Sequence, residues 1–340
     1  MVTIWDVAKD CNVSKSTVSL VINNSDAVKL ETKLKVLESI KKLGYVPNMA
    51  ARELQTKVKN ILGMVFLVNE ATQKSYSFDS VTETLFYDIF TGISSHLKDT
   101  DYGLLSERYA ADGSENLPNL IKNKRVDGVF IIGGLFHDEF IQQLQEQKIP
   151  AVIVGRLVPG VDSVAPNVTN AIYLGTKHLL ETGHRNIVFI NGPEKAQASK
   201  GKLTGFNKAL AEFERDVDSA VVFTDYTGNA GFRAMRELWD SGKHPDAVIA
   251  ASDGIAVGAM RYLYEQKIRI PEDISIIGYE QSIISEHAIP ALTTMDINKE
   301  LMGQKASEML MHRIQNPDGN IVHHTFETSI VLRDSVKNRG

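Results

Sequence analysis

The sequence predicts an α/β protein with a small helix-turn-helix head, a hinge helix, and a two-lobed core of parallel sheets flanked by helices. At 340 residues the chain can hold two to three domains of about 150 residues each. Its first 60 residues carry ten Lys and Arg against six Asp and Glu, whereas the other 280 carry 27 against 36. From Ile61 onward, apolar runs of strand length alternate with amphipathic stretches, which is typical of parallel sheets.

The basic head begins with the signals of a short capped helix. Thr3 is expected to cap this helix, with Asp6 reaching back to it from three residues later. The helix is expected to bury Ile4, Val7, Ala8 and Cys11. Asn12 follows it and tolerates the left-handed conformation that a tight turn between helices requires.

Two further helices complete the predicted head. Ser14 caps a helix over residues 15–22, whose inner stripe is Val18, Val21 and Ile22, while Ser16 and Leu20 point the opposite way. A third helix is expected from Leu30 to Leu43, ended by Gly44, with Leu34, Leu37 and Ile40 turned inward. In a helix-turn-helix the second helix reads bases in the major groove. The spacing alone also fits a generic three-helix bundle, and the charge alone also fits a solvated basic face.

The acidic core is predicted as two groups of parallel strands. The expected strands are Ile61–Val68, Gly103–Ser106, Gly128–Ile132, Ala151–Gly155, Ile187–Asn191, Ala220–Thr224, Ala247–Ala251 and Ile274–Gly278, with a last one at Thr328–Leu332. The expected helices between them are Phe86–Lys98, Glu139–Gln147, Ala171–Thr182, Phe232–Ser241 and Gly254–Gln266. Open parallel sheets bind ligands beyond the carboxyl ends of their strands, so a cleft between two such lobes is a sensible binding site.

Several classes of protein find little support in the sequence. It contains no G-x-G-x-x-G after its first strand, no Walker loop and no G-x-S-x-G, so neither a dinucleotide enzyme nor a hydrolase is indicated. One cysteine, Cys11, cannot form a disulfide within the chain, and no cluster has zinc-ligand spacing. The N-terminus lacks the apolar run of a signal peptide, and no stretch approaches a membrane span. We expect a cytoplasmic protein without metal, cofactor or catalytic residues.

Motifs in both parts of the chain stand in the order and spacing of one known family. In the head they are Thr3–Ala8, Val13–Ser19, Val21–Asn23 and Gly44–Asn48. In the core they include Arg125–Gly128, Gly183–Arg185, Ile270–Tyr279 and Pro290–Thr294. On these motifs the chain resembles, along nearly its whole length, the lac repressor / galactose repressor family of bacterial transcription regulators.

The resemblance implies that the head binds double-stranded DNA, with Lys15, Ser16 and Leu20 at positions that face base edges. The DNA-binding candidates are Thr3, Ser14, Lys15, Ser16, Thr17, Ser19, Leu20, Asn23, Tyr45, Asn48, Ala51, Arg52 and Leu54. The stretch after Asn48 looks like the family's hinge helix, which folds on DNA and wedges a leucine, here Leu54, into the minor groove. The alternative is an ordinary linker leucine.

The resemblance also implies the fold of periplasmic sugar-binding proteins, with an effector between the lobes. The effector-binding candidates are Phe86, Tyr87, Lys202, Tyr226, Ser252, Asp253 and Glu280. The sequence departs from the family at Lys202, where arginine is usual, and at Glu280, where aspartate is usual. Lysine lacks the planar fork of arginine, so bidentate recognition is lost. We expect the charged groups of Lys202 and Glu280 to hydrogen-bond the hydroxyls of a neutral sugar that stacks on Tyr226. The alternative is that Lys202 and Glu280 only form an ion pair between the lobes.

The predicted domain boundaries follow from these motifs. The head spans residues 1–46, and the hinge helix with its linker spans 47–59. The first lobe comprises 60–166 with 297–320, and the second lobe comprises 167–296 with 321–335.

The sequence therefore predicts a DNA-binding repressor of carbohydrate utilisation genes. One recognition helix reads few bases, so a homodimer on a palindromic operator is expected. A sugar is the expected effector, with a nucleobase or a protein corepressor as the alternatives. A carbohydrate-active enzyme with a DNA-binding head is the rival from another class, but it would need an acid/base pair in the cleft, and no persuasive pair is present.

Overall fold

The structure is a computed structural model that describes residues 2–22, 25–45, 58–68, 82–110, 117–133, 138–213 and 215–340. The chain divides into two compact units, Met1–Lys59 and Asn60–Gly340, called here the head and the core. Among the described helices, none is both long enough and apolar enough to cross a membrane.

The described part of the head forms three helices, α1 (Ile4–Cys11), α2 (Lys15–Ile22) and α3 (Leu30–Leu43). Their ends confirm the predicted capping. Thr3 and Asp6 form a reciprocal capping box at the start of α1. Asn12 and Gly44, which follow α1 and α3, both adopt the left-handed conformation, with φ of 52° and 63°.

The inner face of α3 differs from the prediction. Leu34 and Leu37 were expected inside, but they are 59% and 45% exposed, and Val36 is buried instead. The reason is a polar contact that apolar periodicity does not show. Asp10 of α1 accepts a hydrogen bond from the hydroxyl of Ser39 at 2.7 Å and pairs with Lys42 at 2.8 Å, which turns the Val36 and Ser39 side of α3 toward α1.

The first lobe is built on a six-stranded parallel sheet. Its strands are β1 (Ile61–Val68), β2 (Gly103–Ala110), β3 (Gly128–Ile132), β4 (Ala151–Val154), β5 (Asp162–Pro166) and β11 (His323–Phe326), in the order β11-β5-β4-β3-β1-β2. Its helices are α4 (Thr82–Leu97), α5 (Asn119–Lys122), α6 (Asp138–Glu146) and α12 (Lys299–Gln315). Alternate residues of the strands point to opposite faces of the sheet. On one face they pack in an apolar cluster with α4 and α12, and on the other face in a separate cluster with α5 and α6. Helices therefore cover both faces of the sheet.

The second lobe repeats this plan on a smaller scale. Its parallel sheet consists of β6 (Asn186–Asn191), β7 (Asp218–Phe223), β8 (Ala247–Ala250) and β9 (Ser275–Ile277), in the order β7-β6-β8-β9. The helices of this lobe are α7 (Val168–Glu181), α8 (Gln197–Ala211), α9 (Gly228–Asp240), α10 (Asp253–Glu265) and α11 (Ile283–His287).

The last crossing between the lobes lies later than predicted. Residues 321–335 were assigned to the second lobe, but β11 pairs with β5 in the sheet of the first lobe. The next strand, β12 (Ser329–Val331), is not part of that sheet. It pairs antiparallel with β10 (Thr294–Asp296). A hydrogen bond explains why the chain crosses between the lobes later than predicted. Asp162, at the start of β5, accepts the backbone N–H of Val322 at 2.8 Å, which holds this part of the chain against the first lobe.

Candidate DNA-reading surface and effector cavity

The exposed side of α2 is the candidate DNA-reading surface of the head. Val18 and Val21 anchor the helix in the head core and are almost fully buried. The opposite side therefore carries Ser16 and Leu20, both exposed, as predicted from the helical periodicity. Lys15 is exposed at the start of the helix, also as predicted. Leu20 is 41% exposed, so it does not belong to the core of the head.

Three other candidates of the head have local structural partners. The Ser14 hydroxyl accepts the backbone N–H of Thr17 at 3.0 Å and shares a hydrogen bond with the Thr17 hydroxyl at 2.8 Å. The Thr3 hydroxyl donates to Asp6 at 2.7 Å. Ser19 is half-buried, and Tyr45 packs against the head core. The remaining candidates lie outside the described residues: Asn23, Asn48, Ala51, Arg52 and Leu54.

Trp5 also contributes to this surface, although it is not among the residues predicted for the site. Its side chain is 65% exposed, and the Lys15 ammonium lies 5.5 Å from the centre of its ring. A cation at this distance over an indole face is attracted by the ring quadrupole. The sequence did contain a signal for this position. Val7 and Ala8 belong to the buried side of α1, and Trp5 is a large aromatic residue on the opposite, polar side.

A cavity of about 430 Å³ lies between the two lobes of the core. It is bounded by the carboxyl ends of strands from both sheets, including Leu67 of β1, Ile132 of β3 and Ala251 after β8. In each sheet the chain order reverses at this point, since β1 lies between β2 and β3, and β6 lies between β7 and β8. Such switch points leave a crevice in which ligands bind. The cavity is in the range of about 300–1,000 Å³ typical of small-molecule sites.

Lys202 of α8 is the buried cation of this cavity. Its ammonium donates to the carbonyl oxygen of Ala251 at 2.6 Å. It also lies 3.7 Å from the ring centre of Tyr279 and 5.1 Å from that of Tyr226. Burial lowers the pKa of Lys202 from 10.5 to about 8, against the opposing effect of the Glu280 charge. Because Lys202 lines the cavity and its ammonium has three protons, an acceptor on a ligand can receive a hydrogen bond from it.

Glu280 is the buried carboxyl on the same wall. Its Oε1 atom has no hydrogen-bond partner among the described residues. Burial, followed by the nearby charge of Asp253, raises the pKa of Glu280 well above its ordinary value. Its backbone is left-handed, with φ of 98°, which is uncommon for a residue with a side chain. A buried polar atom without a partner is costly, and a ligand in the cavity can supply one.

Tyr226 completes this wall, and its position depends on a glycine. A Cβ atom on Gly192 would overlap the ring of Tyr226, so only glycine leaves room for it. The Tyr226 hydroxyl shares a hydrogen bond with the Ser199 hydroxyl at 2.9 Å. The ring is therefore held in place before any ligand arrives.

Two of the effector candidates, Asp253 and Tyr87, do not line the cavity. Asp253 does not line the cavity, because its carboxylate accepts hydrogen bonds from the hydroxyls of Ser282 and Thr294 behind it. Ser252 does line the cavity, but its hydroxyl caps α10 by accepting the backbone N–H of Ile255 at 3.1 Å. On α4, Phe86 lines the cavity, whereas Tyr87 is 69% exposed and lies outside it.

The stability of the core is expected to depend on the proton of Lys202. The unfolded chain keeps this proton up to pH 10.5, but the folded chain loses it near pH 8, so the free energy of unfolding should rise between these two values. At about 1.4 kcal/mol per pKa unit the rise is at most about 3–4 kcal/mol. Urea denaturation at pH 8 and pH 10 measures it. Lys202→Met should lack this rise, and equal pH dependence in both proteins would contradict the assignment.

A helix-turn-helix in one unit and a ligand-sized cavity between two parallel-sheet lobes in the other define a class of protein: a DNA-binding regulator with a small-molecule sensor. Comparison with known proteins agrees with this class. The model of the bacterial regulatory proteins, lacI family, matches residues 3–48, and that of the periplasmic binding protein-like domain matches residues 176–336. The chain is 34% identical to the HTH-type transcriptional regulator CelR of Thermobifida fusca over 340 residues, which covers 98% of each chain. It therefore belongs to the lacI family of bacterial regulatory proteins.

Other relatives extend the comparison. The HTH-type transcriptional repressor PurR of Klebsiella pneumoniae is 32% identical over 321 residues, covering 93% of this chain and 91% of PurR. The crystal structure of a lac repressor dimer bound to operator and the anti-inducer ONPF superposes with a TM-score of 0.82 and 25% identity over 99% of both chains. A CelR–cellobiose complex superposes with a TM-score of 0.71 and 33% identity over 98% of this chain and 100% of that one. The predicted α/β fold class and family are thus confirmed.

Proposed function

We propose that this protein is a transcriptional repressor of carbohydrate utilisation genes, and that it binds a palindromic operator as a homodimer under the control of a sugar. The observation that carries the sugar assignment is the wall formed by Lys202, Tyr226 and Glu280 in the interlobe cavity. An aromatic ring beside a buried donor and an unpartnered acceptor suits a polyhydroxylated ring. The 34% identity to CelR, and the solved complex of CelR with cellobiose, support a sugar further.

Residues 47–59 are proposed to act as the hinge helix and linker, with Leu54 as the apolar wedge and Arg52 on the phosphate backbone. Such a wedge unstacks a base step and bends the duplex. The sugar would change the balance between two arrangements of the lobes and hence the spacing of the hinges. It can shift that balance only by its differential affinity for the two arrangements.

A nucleobase is the second candidate effector, because PurR is 32% identical to this chain and because the cavity offers flat apolar surfaces to an aromatic ring. Titration calorimetry of the full chain against purines separates the two candidates.

Sugar turnover is not part of the proposal, since the curated relatives are regulators. Glycoside hydrolysis uses two carboxyl groups about 5–9.5 Å apart on either side of the bond. Among the described residues that line the cavity, Glu280 is the single carboxyl, and the carboxylate of Asp253 is occupied by Ser282 and Thr294. His184 is fully buried and bonds the Ser275 hydroxyl at 2.8 Å, a structural role.

The proposed function is tested by operator binding of the full chain in the presence of sugars. A site is first selected from random DNA, and its affinity is then measured by fluorescence anisotropy with glucose, cellobiose, xylose and galactose. We expect at least one sugar to change the affinity fivefold or more, a usual allosteric coupling. A selected site without twofold symmetry, or an affinity that no sugar changes, would contradict the proposal.

The Leu20 position is expected to lack a guanine requirement in that operator. Arginine forms a bidentate contact with guanine, whereas the exposed Leu20 can only pack on the methyl group of thymine. Leu20→Arg should therefore shift the preference at the facing base pair toward guanine, by about 1–3 kcal/mol. Sites selected with the variant and the parent protein show the change. A dominant guanine at that base pair for the parent protein would contradict the assignment, and a variant that fails to fold would place Leu20 in the core.

A further inference from the structure

We infer that Lys299 is a positioning residue of the effector response. It holds the loop that presents Glu280 to the cavity against the first lobe, and so couples an occupied cavity to the arrangement of the lobes. The inference rests on the proposed function, since it assumes that an effector binds in the cavity. It follows from a series of contacts that crosses from the second lobe to the first.

The loop of residues 279–281 follows β9 and carries Glu280 into the wall of the cavity. Glu280 and Gln281 both have positive φ, of 98° and 49°, which is uncommon for residues with a side chain. Such a backbone persists only where neighbouring groups hold it. The backbone N–H of Glu280 donates to the carbonyl oxygen of Met295 at 2.9 Å, and that of Gln281 donates to the Thr294 hydroxyl at 3.3 Å. Residues of β10 therefore hold one side of this loop.

Lys299 holds the loop from the first lobe. It is the first residue of α12, and it is 7% exposed. Its ammonium donates to the carbonyl oxygen of Gln281 at 3.3 Å and forms an ion pair with the carboxylate of Asp88 on α4. A buried charge is costly unless it is paired and hydrogen-bonded. This cation is bound by a carboxylate of the first lobe and by a carbonyl oxygen of the second.

The two helices that carry Lys299 and Asp88 are packed backbone to backbone. A Cβ atom on Gly92 of α4 would overlap the carbonyl oxygen of Glu300, and one on Gly303 of α12 would overlap that of Ile89. Only glycine permits so close an approach. Lys299 is therefore fixed to α4 as part of the first lobe, whereas Gln281 belongs to the second, and the hydrogen bond between them joins the lobes.

The charge of Lys299 also acts on Glu280. Burial and the charge of Asp253 raise the pKa of Glu280, and the charge of Lys299 opposes them. Lys299 is not among the described residues that line the cavity. It therefore acts on a ligand through Glu280 and Gln281 and not by direct contact.

A contact between the lobes distinguishes their possible arrangements. At 3.3 Å the hydrogen bond from Lys299 to Gln281 is already long, so a displacement of one lobe against the other breaks it. A ligand shifts the balance between two arrangements only through contacts that differ between them. A ligand that binds Glu280 acts on the same loop that Lys299 holds, so its binding and this contact between the lobes depend on each other.

The experiment measures binding and response separately in the full chain. Calorimetry gives the affinity for the sugar to which the parent protein responds, and fluorescence anisotropy gives the change in operator affinity that this sugar causes. In Lys299→Met we expect the response to fall from fivefold or more to less than about twofold, while the sugar binds within about fivefold of the parent affinity. Lys299→Arg keeps the cation and should retain a response above about threefold.

Asp88→Asn removes the other partner of the ion pair. Its side chain is 38% exposed, so this variant is expected to fold even if Lys299→Met does not, and its response should be at least about twofold smaller than that of the parent. Lys305→Met is the matched control, because Lys305 lies on the same helix but pairs with the exposed Glu308 at 3.0 Å. It should respond like the parent protein.

The outcomes separate this inference from the proposed function. If Lys299→Met and Asp88→Asn respond like the parent, or if Lys299→Met no longer binds the sugar, the positioning role is wrong while the proposed function stands. If the parent responds to none of the sugars, the sugar part of the proposed function fails, and the same comparison with adenine, guanine and hypoxanthine decides the role of Lys299. If none of these ligands changes operator affinity, both are wrong.

Discussion

Replacing Lys202 by methionine is expected to weaken effector binding at least about 30-fold and to abolish the response of operator binding to the effector. Truncating one member of a buried, hydrogen-bonded charge contact costs about 2–5 kcal/mol. Methionine fills the volume between the rings of Tyr226 and Tyr279 but donates no hydrogen bond, so the loss isolates the ammonium. Calorimetry gives the affinity, and fluorescence anisotropy gives the operator response.

Operator affinity without effector should be unchanged in Lys202→Met, because the head is a separate compact unit. Lys200→Ala is the matched control, since Lys200 is an exposed lysine on the same helix and should behave like the parent protein. Tyr226→Ala and Glu280→Gln are expected to lose the response as well. Both side chains belong to the second lobe, so an ion pair between the lobes, the alternative named above, does not fit the structure. Unchanged effector affinity in Lys202→Met would contradict the assignment of Lys202 to the effector site.

Replacing Arg313 by leucine is expected to destabilise the core by about 3–5 kcal/mol, since it leaves a buried carboxylate without its partner. The Arg313 guanidinium meets the carboxylate of Asp162 through two hydrogen bonds, of 2.8 and 2.9 Å. Its other donors reach the carbonyl oxygens of Pro317, Gly319 and Asn320. The Arg313 side chain therefore connects the end of α12 and the residues just before β11 to the start of β5. The hydrogen bond that Arg313 donates to Asp162 raises the pKa of Arg313, so the guanidinium stays charged.

Urea denaturation of the parent and variant proteins measures this loss. The double variant Arg313→Leu with Asp162→Leu should recover part of the stability, because it removes the stranded charge. Arg269→Leu is the matched control: Arg269 also pairs with Asp273 through two hydrogen bonds, but the side chains are 69% and 41% exposed. Solvent screens such pairs, so the midpoint of that variant should stay close to the parent value. Equal losses in Arg313→Leu and Arg269→Leu would contradict the account.

Local interactions explain why the head was predictable from sequence. The capping box of Thr3 and Asp6, the left-handed Asn12 and the terminal Gly44 each act within a few residues, and all were found as expected. The central strands were predictable for a related reason. A strand buried on both faces is apolar along its whole length, as Gly128–Ile132 is.

Other elements escaped the prediction because their signals are non-local. The edge strand β11 has the sequence His-His-Thr-Phe and is partly exposed, so no apolar run marks it. Leu34 and Leu37 have the spacing of an inner face, but Asp10 selects the neighbouring face of α3 through Ser39 and Lys42. A polar partner 29 or 32 residues away cannot be read from the periodicity of one helix.

The sequence by itself determined the family, the order of most of the strands and the chemical types at the candidate site, because these depend on local patterns and on motifs in fixed spacing. The tertiary structure alone decided which of those side chains share a cavity. It separates Phe86 from its neighbour Tyr87, and it takes Asp253 out of the site by giving its carboxylate to Ser282 and Thr294. It also leaves Glu280 with an oxygen that has no partner among the described residues. The physical reason is that the burial of a side chain and its hydrogen-bond partners depend on residues of the other lobe and of other strands. These residues come near it only when the chain has folded, so a local sequence pattern does not reveal them.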